Sequence, residues 1–108
     1  MIMKKLLLAA GLILLCSPVF ADNFEDGVAA YEKGDYKAAY GLWKPLADKG
    51  SSLAQYNLGS MYENGQGVAQ DYKEAIKWYA LSAEQGSSEA QFNLGVLYET
   101  GQGVAQDY

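Results

Sequence analysis

One part of this sequence repeats another at a distance of 36 residues, and this internal repeat constrains the fold more than any other feature. Residues 51–72, "SSLAQYNLGSMYENGQGVAQDY", match residues 87–108, "SSEAQFNLGVLYETGQGVAQDY", at 17 of 22 positions. Repetition over this length predicts a stack of similar structural units, in which each unit buries its apolar face against its neighbours.

A weaker copy of the unit precedes these two. Tyr31, Glu32 and Gly34 match the second unit at a shift of 31, whereas residues from Asp35 onward match it at a shift of 36. The difference is the segment 66–70, "QGVAQ", which the first unit lacks. We therefore interpret this segment as a loop insertion between the two helices of a hairpin.

Apolar residues recur with helical spacing inside each unit. Ala54, Leu58 and Tyr62 lie four residues apart and form one apolar stripe, and glycines stand where the helices are expected to end. The predicted helices cover residues 23–33, 36–49, 52–64, 71–85 and 88–100.

Serine and aspartate mark the predicted helix starts. Ser52 with Gln55, and Ser88 with Gln91, have the spacing of a capping box. Asp71 is the expected N-cap of the fourth helix, because its carboxylate can accept hydrogen bonds from free backbone N–H groups.

Pro45 lies inside the second predicted helix. A proline removes a backbone hydrogen bond, so two outcomes are open: a helix that is kinked near residues 42–44, or a helix that ends there. The match of later residues to the second unit favours the continuous, kinked helix.

The N-terminal residues have the layout of a secretory signal peptide. Lys4 and Lys5 precede an apolar run at 6–15, and a short segment ends at Ala21, so cleavage is expected before Asp22. A retained membrane anchor is disfavoured, since a bilayer span needs about 20 apolar residues. Lipid attachment at Cys16 is the other alternative, but the residue before it is a leucine, where a small side chain is usual.

After cleavage the chain keeps six lysines against 13 acidic residues, a formal charge of −7. This balance argues against binding nucleic acid or anionic lipid, because both depend on cationic side chains. The only cysteine leaves with the signal, so no disulfide framework is expected.

The segment 54–86, "AQYNLGSMYENGQGVAQDYKEAIKWYALSAEQG", resembles a Sel-one-like repeat, a relative of the tetratricopeptide repeat. The resemblance implies an all-α fold, an α-solenoid of stacked helical hairpins with about five helices after a cleaved signal peptide. The family pattern is matched by Ala54, Leu58, Gly59, Tyr62, Gly65, Gly67, Val68, Asp71, Ala75, Trp78, Tyr79, Ala83 and Gly86.

The resemblance extends unevenly along the chain. The expected division is a signal peptide at 1–21, a degenerate tetratricopeptide-like hairpin at 22–50, a Sel-one-like repeat at 51–86 and an incomplete repeat at 87–108. The last unit lacks its second helix, so the chain is expected to be a truncated member of the family. An exposed apolar face of Leu94, Leu97 and Tyr98 is then expected, and it offers a surface for self-association. The oligomeric state stays open.

Chemical sites find little support in the sequence. The "GQGVAQD" loop follows a helix rather than a strand and has no suitably placed lysine, so it does not predict a phosphate site. Asp71 lacks a second carboxylate at calcium-loop spacing, and no metal or other cofactor is expected. The chain contains no histidine, and its serines lie at helix starts, so no catalytic residues are predicted.

Binding is therefore the expected function, since the resemblance implies a scaffold that holds a protein or peptide. In stacked hairpins the first helices line the concave face. The predicted binding face consists of Tyr56, Asn57, Ser60, Asn64, Phe92, Asn93, Val96 and Thr100. Asn57 and Asn93 are the candidates for pairing with a ligand's backbone amides, and no lysine or arginine is available as a carboxylate clamp.

The resulting hypothesis is an exported adaptor, periplasmic or secreted, that holds a protein partner and contacts neither nucleic acid nor, after signal cleavage, the membrane. One alternative is a truncated gene product without independent activity. A further alternative is an enzyme acting on cell-wall-type substrates, which the resemblance suggests for cysteine-rich family members whose disulfides are absent here.

Overall fold

The computed structural model describes residues 19–103, with side chains from residue 23, and this part of the chain is all-α with five helices. The helices are α1 (Val19–Glu32), α2 (Tyr36–Asp48), α3 (Ser52–Asn64), α4 (Tyr72–Glu84) and α5 (Ser88–Thr100). The predicted all-α fold is confirmed. The predicted signal peptide lies almost wholly outside the described residues, and α1 begins before the expected cleavage point rather than at residue 23.

Each helix packs against the next helix along the chain, from α1 with α2 to α4 with α5. Short connections separate α1 from α2 and α2 from α3, whereas the inserted loop separates α3 from α4. Two hairpins, α1–α2 and α3–α4, therefore stack side by side, and α5 adds the first helix of a third. We call α1, α3 and α5 the first helices, and α2 and α4 the second helices.

The N-caps of α3 and α5 lie one residue before the predicted capping boxes, so that prediction is wrong. The hydroxyl of Ser51, not Ser52, accepts from the Ala54 N–H at 3.2 Å, and Ser87 has the same role in α5. Ser52 instead lies 2.9 Å from the Ser82 hydroxyl on α4. In α5 the Ser88 hydroxyl donates to the Glu89 carboxylate at 2.8 Å, and Ser87 is again the cap.

The glutamines of those predicted capping boxes also bond elsewhere. Gln55 is buried and donates to the Ala47 carbonyl at 3.1 Å, and Gln91 donates to the Ala83 carbonyl at 3.2 Å. Each glutamine therefore ties a first helix to the end of the preceding second helix. The Asp71 prediction is confirmed, because its carboxylate accepts from the backbone N–H groups of Lys73 and Glu74.

Helix α2 continues across Pro45 to Asp48, so the alternative in which it ends near residues 42–44 is wrong. Pro45 is exposed, while Leu46 and Ala47 beyond it are buried in the core. The apolar contacts of the last turn hold the helix in place where one backbone hydrogen bond is missing.

The inserted loop packs onto the start of α2. Gly67 has a φ of +74°, and a Cβ there would lie 2.7 Å from the backbone carbonyl of Tyr36, so a side chain has no room. Val68 packs against the core. The loop is therefore part of the folded unit and not a free connection.

The core consists of two clusters. One joins α2, α3 and α4 through Trp43, Leu58, Met61 and Trp78 with several alanines, and the other joins α4 and α5 around Tyr79 and Leu97. The expectation that Leu97 contributes to an exposed apolar face is wrong, because Leu97 is fully buried in a cluster with Ala75 and Tyr79 of α4. Leu94 is half-buried and Tyr98 is 51% exposed, so only part of the expected apolar face is open.

Candidate functional site

An open groove runs between α1 and α3, with a volume of about 360 Å³. It lies between two first helices, and one side chain from α2 forms part of its lining. The residues that line it are Val28, Tyr31, Glu32, Trp43, Tyr56, Asn57 and Ser60.

Three of the eight residues predicted for the binding face, Tyr56, Asn57 and Ser60, line this groove. The others lie outside it. Asn64, at the end of α3, donates to the Ser60 hydroxyl at 3.3 Å. On α5, Phe92 is 71% exposed, Val96 is exposed, the Thr100 hydroxyl donates to the Val96 carbonyl, and Asn93 is half-buried.

Asn93 is bonded within the protein. Its amide group donates to the hydroxyls of Tyr56 at 3.3 Å and Tyr79 at 3.4 Å. The Tyr79 hydroxyl donates in turn to the Glu63 carboxylate at 2.7 Å. Burial and the bond to Glu63 raise the pKa of Tyr79 well above its usual range. The polar groups in the crevice between α3 and α5 thus satisfy one another.

At the equivalent positions in the α1–α3 groove, the polar side chains do not bond to one another. A shift of 36 places Trp43 at the position of Tyr79 and Asn57 at that of Asn93, and the shift of 31 places Glu32 at that of Glu63. Trp43 has no hydroxyl, and its indole N–H donates to the Phe24 carbonyl at 3.1 Å. Among the described residues, neither Glu32 nor Asn57 has a side-chain hydrogen bond or an ion pair.

Hydrogen bonds and ring contacts hold the aromatic side chains of the groove in place. The Tyr31 hydroxyl donates to the Gln66 side-chain carbonyl at 2.9 Å, and its ring lies 5.9 Å from that of Trp43. The Tyr56 ring lies 5.6 Å from Tyr79, and its hydroxyl accepts from Asn93. Gln66 belongs to the inserted loop, so the loop orients one wall of the groove.

The sequence-based prediction missed four lining residues: Val28, Tyr31, Glu32 and Trp43. The prediction selected equivalent positions on successive first helices. A groove between two helices is instead lined by the sides of those helices that face each other. The sequence does contain a signal for the groove. Trp43 occupies the position of Tyr79 in the earlier unit, and tryptophan lacks the tyrosine hydroxyl.

The lysines of the described helices all lie on the second helices, which also carry three carboxylates: Asp48, Glu74 and Glu84. From residue 23 on, the first helices carry no lysine and six carboxylates: Glu25, Asp26, Glu32, Glu63, Glu89 and Glu99. The second helices carry four lysines: Lys37, Lys44, Lys73 and Lys77. Glu32 is the only carboxylate in the groove lining, and no lysine lines it.

Two of those lysines lie over Trp78, away from the groove. The ammonium groups of Lys77 and Lys44 are 4.8 Å and 5.7 Å from the ring centre. A hydrogen bond to Asp48 raises the pKa of Lys44. Lys44 and Lys77 are thus engaged in local contacts.

No group of three or more metal-ligating side chains occurs in the part of the chain that the structure describes. None of the described helices is both long enough and apolar enough to cross a bilayer. What the groove offers is fixed aromatic surface, one carboxylate, one amide and one hydroxyl, and these groups suit reversible binding of a ligand.

Stacked helical hairpins with an open groove between first helices define an α-solenoid of the tetratricopeptide type. The Sel1 repeat family model matches residues 21–51, 52–87 and 88–108, and the chain belongs to this family. The predicted resemblance is therefore confirmed. Sel1 repeats generally mediate protein–protein interaction and are typically non-catalytic scaffolds.

Two solved structures share the fold. A Sel1 repeat protein from Oxalobacter formigenes is 35% identical with a TM-score of 0.72, over 80% of this chain and 34% of that one. A protective antigen of uropathogenic Escherichia coli strains, which displays an SLR fold, is 36% identical with a TM-score of 0.76, over 96% of this chain and 22% of that one.

Curated relatives match over a shorter region. DAP3-binding cell death enhancer 1 of Rattus norvegicus is 42% identical over 55 residues, which is 51% of this chain and 11% of the relative. The Mus musculus protein of the same name is 44% identical over 45 residues, 42% of this chain and 9% of the relative. The chain thus spans about a tenth of the length of these relatives.

Proposed function

We propose that the chain is an adaptor that binds an extended segment of a partner protein in the α1–α3 groove. The observation that carries this proposal is the pair Glu32 and Asn57, polar side chains without partners among the described residues, beside aromatic walls that are already fixed. Pre-ordered walls reduce the entropy lost on binding. The mammalian relatives are named for binding DAP3, and this supports the same class of function.

Asn57 and Asn93 provide a first test, because Asn57 lines the groove and Asn93 lies outside it. Asn57→Ala removes a polar group that lines the groove, whereas Asn93→Ala removes a side chain outside the groove together with its bonds to Tyr79 and to the lining residue Tyr56. We expect peptides selected from a random display library on the purified chain to lose affinity with Asn57→Ala. Asn93→Ala is expected to lower thermal stability more than affinity.

A matched pair of filling variants decides which crevice is used. Ser60→Trp fills the groove, and Val96→Trp places the same side chain at the equivalent position of the third unit. Helical content and melting temperature confirm that both variants fold. Loss of peptide binding in Ser60→Trp alone supports the proposal, whereas loss in Val96→Trp alone moves the site to α5. Retention in both contradicts groove binding.

We further propose that the adaptor acts after export, in the periplasm or outside the cell. The support is the layout of residues 1–21, with two lysines, an apolar run and a small residue at 21. Expression in a bacterium with a C-terminal tag tests this. The mass of the exported chain should correspond to a start at Asp22, and a cytosolic chain that retains residues 1–21 would refute it.

A further inference from the structure

We propose that the α1–α3 groove recognises an arginine side chain of the partner segment, with the guanidinium group at Glu32. This inference rests on the proposed function and specifies the chemistry of the ligand. The partner is a protein segment that presents arginine in an extended conformation.

The α3–α5 crevice provides the template for the missing contact. There the Tyr79 hydroxyl donates to Glu63 at 2.7 Å and is bonded to Asn93 at 3.4 Å, so one polar group satisfies both side chains. In the groove, Trp43 replaces that tyrosine and directs its N–H to the backbone of Phe24. Glu32 is exposed and lines the groove, so its carboxylate is accessible to a donor that a ligand supplies.

The charge distribution selects a cationic donor. The first helices carry only carboxylates from residue 23 on, and the lysines of the second helices lie outside the groove lining. A positive ligand thus meets complementary charge at the groove and no like charge in its lining. Lys33 follows Glu32 in sequence but does not line the groove.

The aromatic walls favour arginine over lysine. A guanidinium group is planar and weakly hydrated, stacks on aromatic rings and donates several N–H groups in a fixed arrangement. Tyr31 and Tyr56 supply rings on opposite helices, and the Asn57 carbonyl and Ser60 hydroxyl can accept the N–H groups that Glu32 does not bind. The methylene stem of arginine can lie along Val28.

The test uses arginine-containing peptides that bind the purified chain and that Ser60→Trp excludes. Arginine is replaced by citrulline, which keeps the shape without the charge, and by lysine. We expect affinity, measured by calorimetric titration, to fall about tenfold with citrulline and less with lysine. Glu32→Gln should produce a similar loss, and in this variant the change to citrulline should cost little, because the two changes remove the same contact.

Glu84→Gln is the matched control, since it removes one exposed charge from α4, away from the groove. We expect it to change affinity less than about twofold at physiological salt. Equal losses for Glu32→Gln and Glu84→Gln would overturn the inference. Groove-bound peptides without enrichment of arginine would also overturn it and leave the proposed function standing, whereas an absence of peptides sensitive to Ser60→Trp would refute both.

Discussion

Gly59 and Gly95 occupy equivalent positions in α3 and α5, each after the sequence Asn-Leu, and yet their surroundings differ. A Cβ at Gly59 would lie 2.6 Å from the Tyr79 ring, whereas a Cβ at Gly95 would meet nothing within 4 Å. The nearest neighbours of Gly59 are thus the atoms of a side-chain ring. Substitution of each glycine by alanine isolates this one difference.

The expected magnitudes follow from two effects. Alanine gains about 0.8–1 kcal/mol of helix propensity over glycine at either position. At Gly59 the added methyl group must displace Tyr79, which is fully buried and bonded to Glu63, and such overpacking costs about 1–3 kcal/mol. Because the propensity gain is common to both variants, Gly59→Ala should be less stable than Gly95→Ala by about 1–3 kcal/mol.

Urea unfolding followed by circular dichroism measures the difference, and amide hydrogen exchange in α5 detects local unfolding of this end helix. We expect Gly95→Ala to slow exchange in α5 and Gly59→Ala to lower the unfolding midpoint. Equal stability changes in the two variants would refute the reasoning, because they would mean that Tyr79 does not fill the space over Gly59 or that α5 is covered as α3 is.

Three further predictions concern the contacts around the groove and the inserted loop. Because the raised pKa of Tyr79 favours its protonated form in the folded state, stability should be full below about pH 10 and fall as the pH rises further, and Tyr79→Phe should reduce this fall in alkaline urea titrations. Asp71→Ala removes the N-cap of α4 and should cost about 1 kcal/mol in urea unfolding. Gln66→Ala removes the acceptor of the Tyr31 hydroxyl; we expect a loss of about 1 kcal/mol in urea unfolding and weaker peptide binding by calorimetry.

The sequence predicts the helices well because the repeat shows the same pattern of helix starts and ends more than once. Helices α3 and α5 have the predicted bounds, and Asp71 caps α4 as expected. The serine caps are misplaced by one residue because Ser51 and Ser52, like Ser87 and Ser88, have the same capping chemistry, so the residue type does not distinguish the two positions.

The groove was less predictable, for a reason that lies in its geometry. Periodicity identifies the face of one helix, but Tyr56 on α3 lies opposite Tyr31 on α1, and their pairing depends on how two hairpins stack. The inserted loop shows the same limit, since Gln66 reads as a polar loop residue and yet bonds to a side chain 35 positions earlier.

The difference between the two crevices also shows what a departure from the repeat does to local contacts. Stacking requires each unit to keep the residues that contact its neighbours, so Leu58 and Gly59 recur as Leu94 and Gly95. Some positions of the unit contact polar groups. A residue that departs from the repeat there changes which of those groups form hydrogen bonds within the protein. The tyrosine at 79 closes one crevice, and the tryptophan at 43 leaves Glu32 and Asn57 available in the other. In this chain the repeated residues therefore build the scaffold, and the exchange of tyrosine for tryptophan distinguishes the α1–α3 groove from the α3–α5 crevice.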